Sequence, residues 1–331
     1  MGGNVFTDYL NQKDQTFVGR RLETEDYPSA LYAVKAILDK IGVSYVTIDF
    51  VREKESHGDL DILVERHKDI SVHDITTILL NEGFKVSQNS THIISFLLLT
   101  FQVDLIFIDS DSIDYARNYF SWNDLGNLIG RISKQVGLQH GHDGLYYIQR
   151  SDDTRVLKKH KLSTDYLDIL TILELDIPKF KQGFDTYVEM FQWVSASPYF
   201  IPSLFSFENL NNRNRVRDRK RVIYNMFLNW ISTQEFNKQP RIIEDKLAFI
   251  SKFYPDLKSD CEKVDIAANQ LKLLRAKLDI NFIMDLTGLS GSELGVFLSQ
   301  FKRTFTPEYL TLLSPEELRN LLRAFFKKYS S

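Results

Sequence analysis

The sequence predicts an α/β domain built on a small mixed sheet, followed by a mostly helical domain. Three observations carry this. Helix and strand signals alternate up to about residue 110. Two apolar strands in that stretch, 59–64 (DLDILV) and Phe101–Ile108 (FQVDLIFI), hold carboxylates at alternating positions. From about Asp111 onward helix signals dominate.

Taken in order, 30–41 (ALYAVKAILDKI) repeats apolar residues at helical spacing and stops at Gly42. Residues 45–51, rich in β-branched and aromatic side chains, read as a strand. A polar turn at 53–58 leads into the 59–64 strand. Residues 71–81 read as a helix with Ser71 as N-cap and Gly83 just past its end. The apolar runs 92–99 and 101–108 lie close enough to pair. Further on, 144–149 (GLYYIQ) reads as a short strand, and 196–203 (ASPYFIPS), with two prolines, as a boundary. Helices are expected over 209–233, 240–253 and 259–278, and a final pair over 306–329 with Pro315 in a first turn. The expected organisation is a domain over 1–150, a helical connector over 151–204 and a basic helical domain over 205–331.

Composition sets the outer limits. Of 331 residues, 43% are apolar and 13% aromatic, enough for sizeable cores and too many for a disordered chain. No run approaches the roughly 20 apolar residues a membrane span needs, and MGGNVFTDYLNQKDQ lacks an apolar signal core. A soluble, cytoplasmic protein without a membrane partner is expected. The lone Cys261 excludes an internal disulfide and a cysteine-built zinc site. Charge is uneven: residues 1–204 hold 20 Lys+Arg against 29 Asp+Glu, and 205–331 hold 21 against 15. An acidic first part suits metal chemistry; a basic second part suits a polyanion.

Side chains alternate along a strand, so Asp59 and Asp61 point to one side while Leu60 and Ile62 enter the core. Two adjacent carboxylates repel unless a cation sits between them, and Mg²⁺ (or Mn²⁺), a hard ion preferring oxygen, is the natural occupant. Asp104 supplies a third acid if its strand lies beside the first. Such a trio can hold two ions, one lowering the pKa of an attacking hydroxyl and one gripping a triphosphate. Asp109, Asp111 and Asp114 follow in a polar loop and are explained by turn chemistry.

This arrangement over residues 30–110 resembles the DNA polymerase β-like nucleotidyltransferase superfamily: apolar–Asp–apolar–Asp–apolar, then a third acid on a neighbouring strand. The resemblance implies that Asp59 and Asp61 bind both metals and the triphosphate. It also implies that Asp104 acts on the catalytic metal and helps activate the attacking hydroxyl. The sequence departs from the family at its Gly-Gly or Gly-Ser phosphate turn. Ser56-His57-Gly58 abuts Asp59 instead, and could offer a hydroxyl and backbone N–H groups to phosphate.

Two further segments bear on substrate. Gln139-His140-Gly141-His142-Asp143-Gly144 crowds two histidines, but the third and fourth ligands of a zinc or iron site are not evident nearby. It reads better as a turn beside a nucleotide cleft, with Tyr146, Tyr147 and Arg150 facing a base or phosphate. Residues 212–221 (NRNRVRDRKR) form the strongest basic run. At 100° per residue, Val216, Ile223, Phe227 and Trp230 share a stripe facing the core. Arg213, Arg217, Lys220 and Arg221 would flank one side of it, and Arg215 and Arg219 the other, ready for nucleic-acid phosphates. The alternative is a solvated, salt-bridged helix.

Gly288, Gly291 and Gly295 suggest a tight helix–turn–helix with close backbone approach. The motif is loosely similar to the C-terminal helical motif of CCA-adding enzymes and bacterial poly(A) polymerases. Together these readings imply metal-dependent transfer of a nucleoside monophosphate from an NTP to a polynucleotide 3′-hydroxyl, RNA being the expected acceptor. The alternatives are nucleotidylation of a protein or small molecule, or an inactive nucleotidyltransferase-fold binding protein.

Overall fold

The computed structural model describes residues 5–6, 20–88 and 90–330. Apart from Val5 and Phe6, the segment 1–15 read for a signal core lies outside the described residues. The chain divides into two compact units: Met1–Ile148 with His160–Phe253, and Gln149–Lys159 with Tyr254–Ser331. Helix outweighs strand in both, and the first holds a small mixed sheet, so a mixed α/β architecture with a helical C-terminal region is observed. Among the described residues no helix is long and apolar enough to cross a membrane.

The first unit begins with β1 (Leu22–Glu23), α1 (Tyr27–Ile41), β2 (Tyr45–Thr47), β3 (Ser56–His57) and β4 (Asp59–Glu65). Next come α2 (Val72–Asn81), β5 (Val86–Gln88), β6 (Ile93–Leu98) and β7 (Phe101–Ile108). Gly42 ends α1 in the left-handed region, φ 81°, where glycine escapes the Cβ penalty, and its N–H reaches the Leu38 and Asp39 carbonyls. Ser71 caps α2 in a reciprocal box with Asp74, a device typically contributing about 1 kcal/mol.

The main sheet runs β2-β4-β7-β6-β5. β4 and β7 are parallel and the other pairs antiparallel. Leu60, Ile62 and Val64 enter one core with Val34 and Leu38 of α1 and Ile75 and Leu79 of α2. On the opposite face Leu63 packs with Ile108 and Ala116. The acids therefore share a face whose far end is covered and whose near end opens into a cleft.

The chain continues through α3 (Ile113–Phe120), α4 (Leu125–Gln135), β8 (Leu138–Gly141), β9 (Gly144–Arg150) and β10 (Val156–Ser163). The strands β10-β9-β8 form a second sheet, and the two-residue β1 and β3 pair with each other. Helices α5 (Tyr166–Ile172), α6 (Ile177–Gln182), α7 (Tyr187–Ser195), α8 (Asn212–Arg219), α9 (Val222–Ser232) and α10 (Lys246–Ile250) follow.

Several expectations are corrected here. The strand at 45–51 stops at Thr47, and the helix over 240–253 forms only at Lys246–Ile250. The helix over 209–233 breaks into α8 and α9, because Asp218 is drawn fully inside to meet Arg131 at 2.5 Å. Val216, expected in the core, is 54% exposed for the same reason. The boundary at 204/205 falls inside the first unit. Phe205 packs edge-on to Phe227, and the Tyr224 hydroxyl donates to the Phe205 carbonyl at 2.6 Å, joining both sides.

The second unit contains α11 (Leu257–Lys277), α12 (Ile280–Thr287), α13 (Gly291–Thr304), α14 (Pro307–Leu312) and α15 (Pro315–Tyr329). Leu274, Ile283, Phe297, Phe301, Leu310 and Leu322 form its core. Gly288 and Gly291 take φ +68° and +54°, which explains the tight turn between α12 and α13. Close backbone approach is not found: a Cβ at Gly288, Gly291 or Gly295 would meet nothing within 4 Å.

Candidate active site

β4 and β7 align so that Asp59 is opposite Gln102 and Asp61 opposite Asp104. One carboxylate oxygen from each of Asp59, Asp61 and Asp104 lies within 4.8 Å of the others. No other comparable group of metal-ligating side chains occurs among the described residues. The Gln102 amide donates to both Asp104 oxygens, at 2.9 and 3.0 Å, and Ser95, opposite Asp104 on β6, also bonds to it. The Gln102 carbonyl accepts from the Val5 backbone N–H at 3.1 Å, which fixes the orientation of the amide.

Burial raises all three pKa values. Asp61 is driven well above the carboxylate range by desolvation and then by the charges of Asp59 and Asp104. Asp104 is pushed up to about 6 by burial, with Asp59 adding to it, even though hydrogen bonds from Ser95 and Gln102 favour its charged form. Asp59 is raised by burial and restrained by Lys54 and Arg21. Crowded, desolvated carboxylates of this kind demand protons or a hard cation, and an all-oxygen donor set fits Mg²⁺ or Mn²⁺.

The acids open into a cleft of ≈ 1080 Å³. One wall is the 51–57 loop, whose backbone is pinned from two directions. The Thr24 N–H donates to the Glu55 carbonyl at 2.8 Å, and the Thr24 hydroxyl donates to the Lys54 carbonyl. The Arg52 and Glu53 N–H groups donate to the Phe184 and Asp185 carbonyls at 3.1 and 2.9 Å. Ser56 and Gly58 line the cleft, the Ser56 hydroxyl accepting from Arg21 Nε at 3.0 Å.

His57 also lines the cleft, but its imidazole is turned into packing. Its side chain is 1% exposed, 4.1 Å from the Tyr27 ring and 4.5 Å from Phe50, with Thr24 Oγ1 3.1 Å from Nε2. Burial, then Lys54 and Arg21, hold its pKa down at about 4, so the imidazole stays neutral and serves as packing.

The other wall carries Tyr119, Asn123, Asp124, Asn127, Arg217 and Arg221. Of the six basic residues expected to meet nucleic acid, only Arg217 and Arg221 line the cleft, and both are paired. Arg217 Nε donates to Asp218 at 2.7 Å and another of its nitrogens to Asn127 at 2.8 Å; Arg221 pairs with Asp124. Arg215 satisfies the Phe207 and Leu210 carbonyls at 3.1 and 3.0 Å, and Arg219 lies over the Phe207 ring. Arg213 and Lys220 are exposed. The run is thus a mixture of structural and surface groups, built around the buried Asp218.

Arg150 belongs to the second unit, closes its own turn by donating to the Thr154 carbonyl at 2.9 Å, and is absent from the cleft lining. His142 and Asp143 form the expected turn, between β8 and β9, but neither lines the cleft. His140 is buried and accepts or donates at 2.7 Å with the Tyr115 hydroxyl; burial pushes its pKa down to about 3. Tyr146 donates to Asp143 at 2.7 Å and is also buried.

Sequence reasoning missed Lys54 and Arg21, which line the cleft beside the acids. Lys54 sits in a polar turn and Arg21 lies 35 positions before its partner Ser56, so no local pattern marks either. Protein-family models and curated proteins yield no match to this chain.

Proposed function

We propose that the chain is a metal-dependent nucleotidyltransferase whose five-stranded sheet is the catalytic palm, and that it transfers a nucleoside monophosphate from an NTP to a polynucleotide 3′-hydroxyl, foremost RNA, releasing pyrophosphate. The observation that carries the reading is the convergence of Asp59, Asp61 and Asp104 oxygens within 4.8 Å in an open cleft. Asp59 and Asp61 would hold the ions, with Asp104 completing the set. Bound there, Mg²⁺ supplies charge neutralisation on the phosphates and lowers the pKa of the attacking hydroxyl. Gln102 and Ser95 orient Asp104, which in this reading would help activate the attacking hydroxyl by taking its proton as the new phosphodiester forms.

One observation favours a second reading, in which the acceptor is a small molecule or protein. Arg217 and Arg221, the basic-run residues in the cleft, are already neutralised by Asp218 and Asp124.

The test is incubation of the protein with each labelled NTP, Mg²⁺ or Mn²⁺, and a tRNA or oligonucleotide pool. The expected result is an extended nucleic acid with pyrophosphate released, abolished in Asp61→Ala. Transfer that falls steeply with salt supports a polynucleotide acceptor, because counterion release accompanies its binding. No transfer to any acceptor by a metal-loaded protein would overturn the proposal.

A further inference from the structure

Four lysine and arginine side chains line the cleft, and they are not equivalent. Arg217 and Arg221 are held by Asp218 and Asp124. Lys54 and Arg21 make no ion pair among the described residues. Arg21 directs Nε and one terminal nitrogen to Ser56, at 3.0 and 2.9 Å, which leaves its other terminal nitrogen unengaged there. The Lys54 ammonium lies 5.8 Å from the Phe50 ring centre. It is half-buried, and burial depresses its pKa against the pull of Asp59 and Asp61.

The two cations also sit at the acid end of the cleft. Lys54 and Arg21 both act on Asp59, whereas Arg217 and Arg221 act on Tyr119 of the other wall. The loop carrying Lys54 is fixed by hydrogen bonds to Thr24 on one side and to Phe184 and Asp185 on the other. Holding a partly desolvated ammonium near a guanidinium in a pinned loop, with no close ion pair among the described residues and only the more distant pull of Asp59 and Asp61, is unfavourable in the free protein. An arriving anion offsets that cost. Because positive charge would run from ions on the acids out to Arg21, the complementary ligand is extended and multiply charged.

We propose that Lys54 and Arg21 form a polyphosphate subsite that grips the terminal phosphates of a triphosphate whose inner phosphate faces the acids. The subsite stands where the sequence lacks a glycine phosphate turn. Its assignment to a nucleoside triphosphate rests on the nucleotidyltransferase reading; its affinity for polyphosphate does not.

The test is calorimetric titration of the full chain with inorganic tripolyphosphate, ATP and AMP in Mg²⁺, beside Mn²⁺ binding followed by electron paramagnetic resonance. Lys54→Met should weaken tripolyphosphate and ATP alike by about tenfold or more, the usual range for one charge-assisted contact, and leave AMP unchanged. Lys54→Arg should retain binding. Arg21→Gln, at an exposed position that folding tolerates, should weaken tripolyphosphate severalfold, with Mn²⁺ affinity not reduced in any variant, since losing a cation near Asp59 does not oppose metal binding. Wild-type affinity for tripolyphosphate in both Lys54→Met and Arg21→Gln would overturn the subsite, as would no binding by the wild-type protein. Lys54-dependent tripolyphosphate binding without transfer to any acceptor would uphold the subsite and remove the transferase reading instead.

Discussion

Asp61 and Asp104 stand directly opposite each other on the parallel strands β4 and β7, half-buried and with no ion pair to either among the described residues. In the metal-free protein this pairing is repulsive, and each carboxylate is desolvated as well. Asp61→Asn replaces one of the two acids, whose ionisation is penalised there, by a neutral group of the same shape. Thermal melts in EDTA should therefore show the variant more stable than wild type, by about 1–3 kcal/mol. Saturating Mg²⁺ or Mn²⁺ should reverse the order. Wild type gains about 2.7 kcal/mol at a hundredfold excess over the dissociation constant, and the variant gains little. Equal cation-induced shifts in the two proteins would show that Asp61 is not a ligand.

Gln102 is a positioning residue for Asp104, since its amide engages both carboxylate oxygens and its carbonyl takes the Val5 N–H. Gln102→Leu leaves those groups without partners in a 2% exposed position and should cost about 1–3 kcal/mol. Loss of the orienting bonds should also lower Mn²⁺ affinity about 10–100-fold, as removal of such supporting groups does elsewhere. Mn²⁺ titration at a temperature where both proteins are folded separates the two effects. An unchanged affinity would confine Gln102 to packing.

The sheet and its acids were legible because the relevant information is local. Leu60, Ile62 and Val64 alternate with Asp59, Asp61 and Leu63, and Ser71 with Asp74 marks a helix start within four residues. The neighbouring strand could be expected, but its parallel register could not, since that depends on the whole path through α2, β5 and β6. β10 was missed because its KKHK stretch shows no apolar alternation. The basic run misled for a different reason. Its one acid, Asp218, is its most buried residue, and the partner that buries it, Arg131, lies 87 positions earlier. A helical wheel drawn on residues 209–233 cannot see that partner. Lys54 and Arg21 escaped notice on the same ground.

The Asp218–Arg131 pair makes its own prediction. Asp218 is fully buried and also accepts from Arg217 at 2.7 Å, while Arg131 is 7% exposed. Asp218→Ala strands a buried guanidinium, and the usual cost of breaking such a pair is about 3–5 kcal/mol. Urea unfolding should register it. Replacing both partners together, Asp218→Leu with Arg131→Met, should recover most of the loss, because the desolvated charge is gone. A single variant within about 0.5 kcal/mol of wild type, the span of ordinary surface substitutions, would refute a structural role for Asp218.

His140 predicts a pH dependence of stability with a definite sign. Burial pushes its pKa from 6.5 down to about 3, so the folded protein leaves the imidazole neutral where the unfolded chain protonates it. Between those values the unfolded state binds more protons, and stability falls as the pH is lowered, by about 1.4 kcal/mol per unit from this group alone. The stabilisation is complete above 6.5. The raised carboxylates act in the opposite direction, so the informative quantity is the difference from a variant lacking only the imidazole. His140→Gln removes the titration, and its unfolding free energy should fall less steeply than that of wild type from pH 6.5 to 5. Parallel profiles over that range would mean that His140 takes up its proton without leaving the fold.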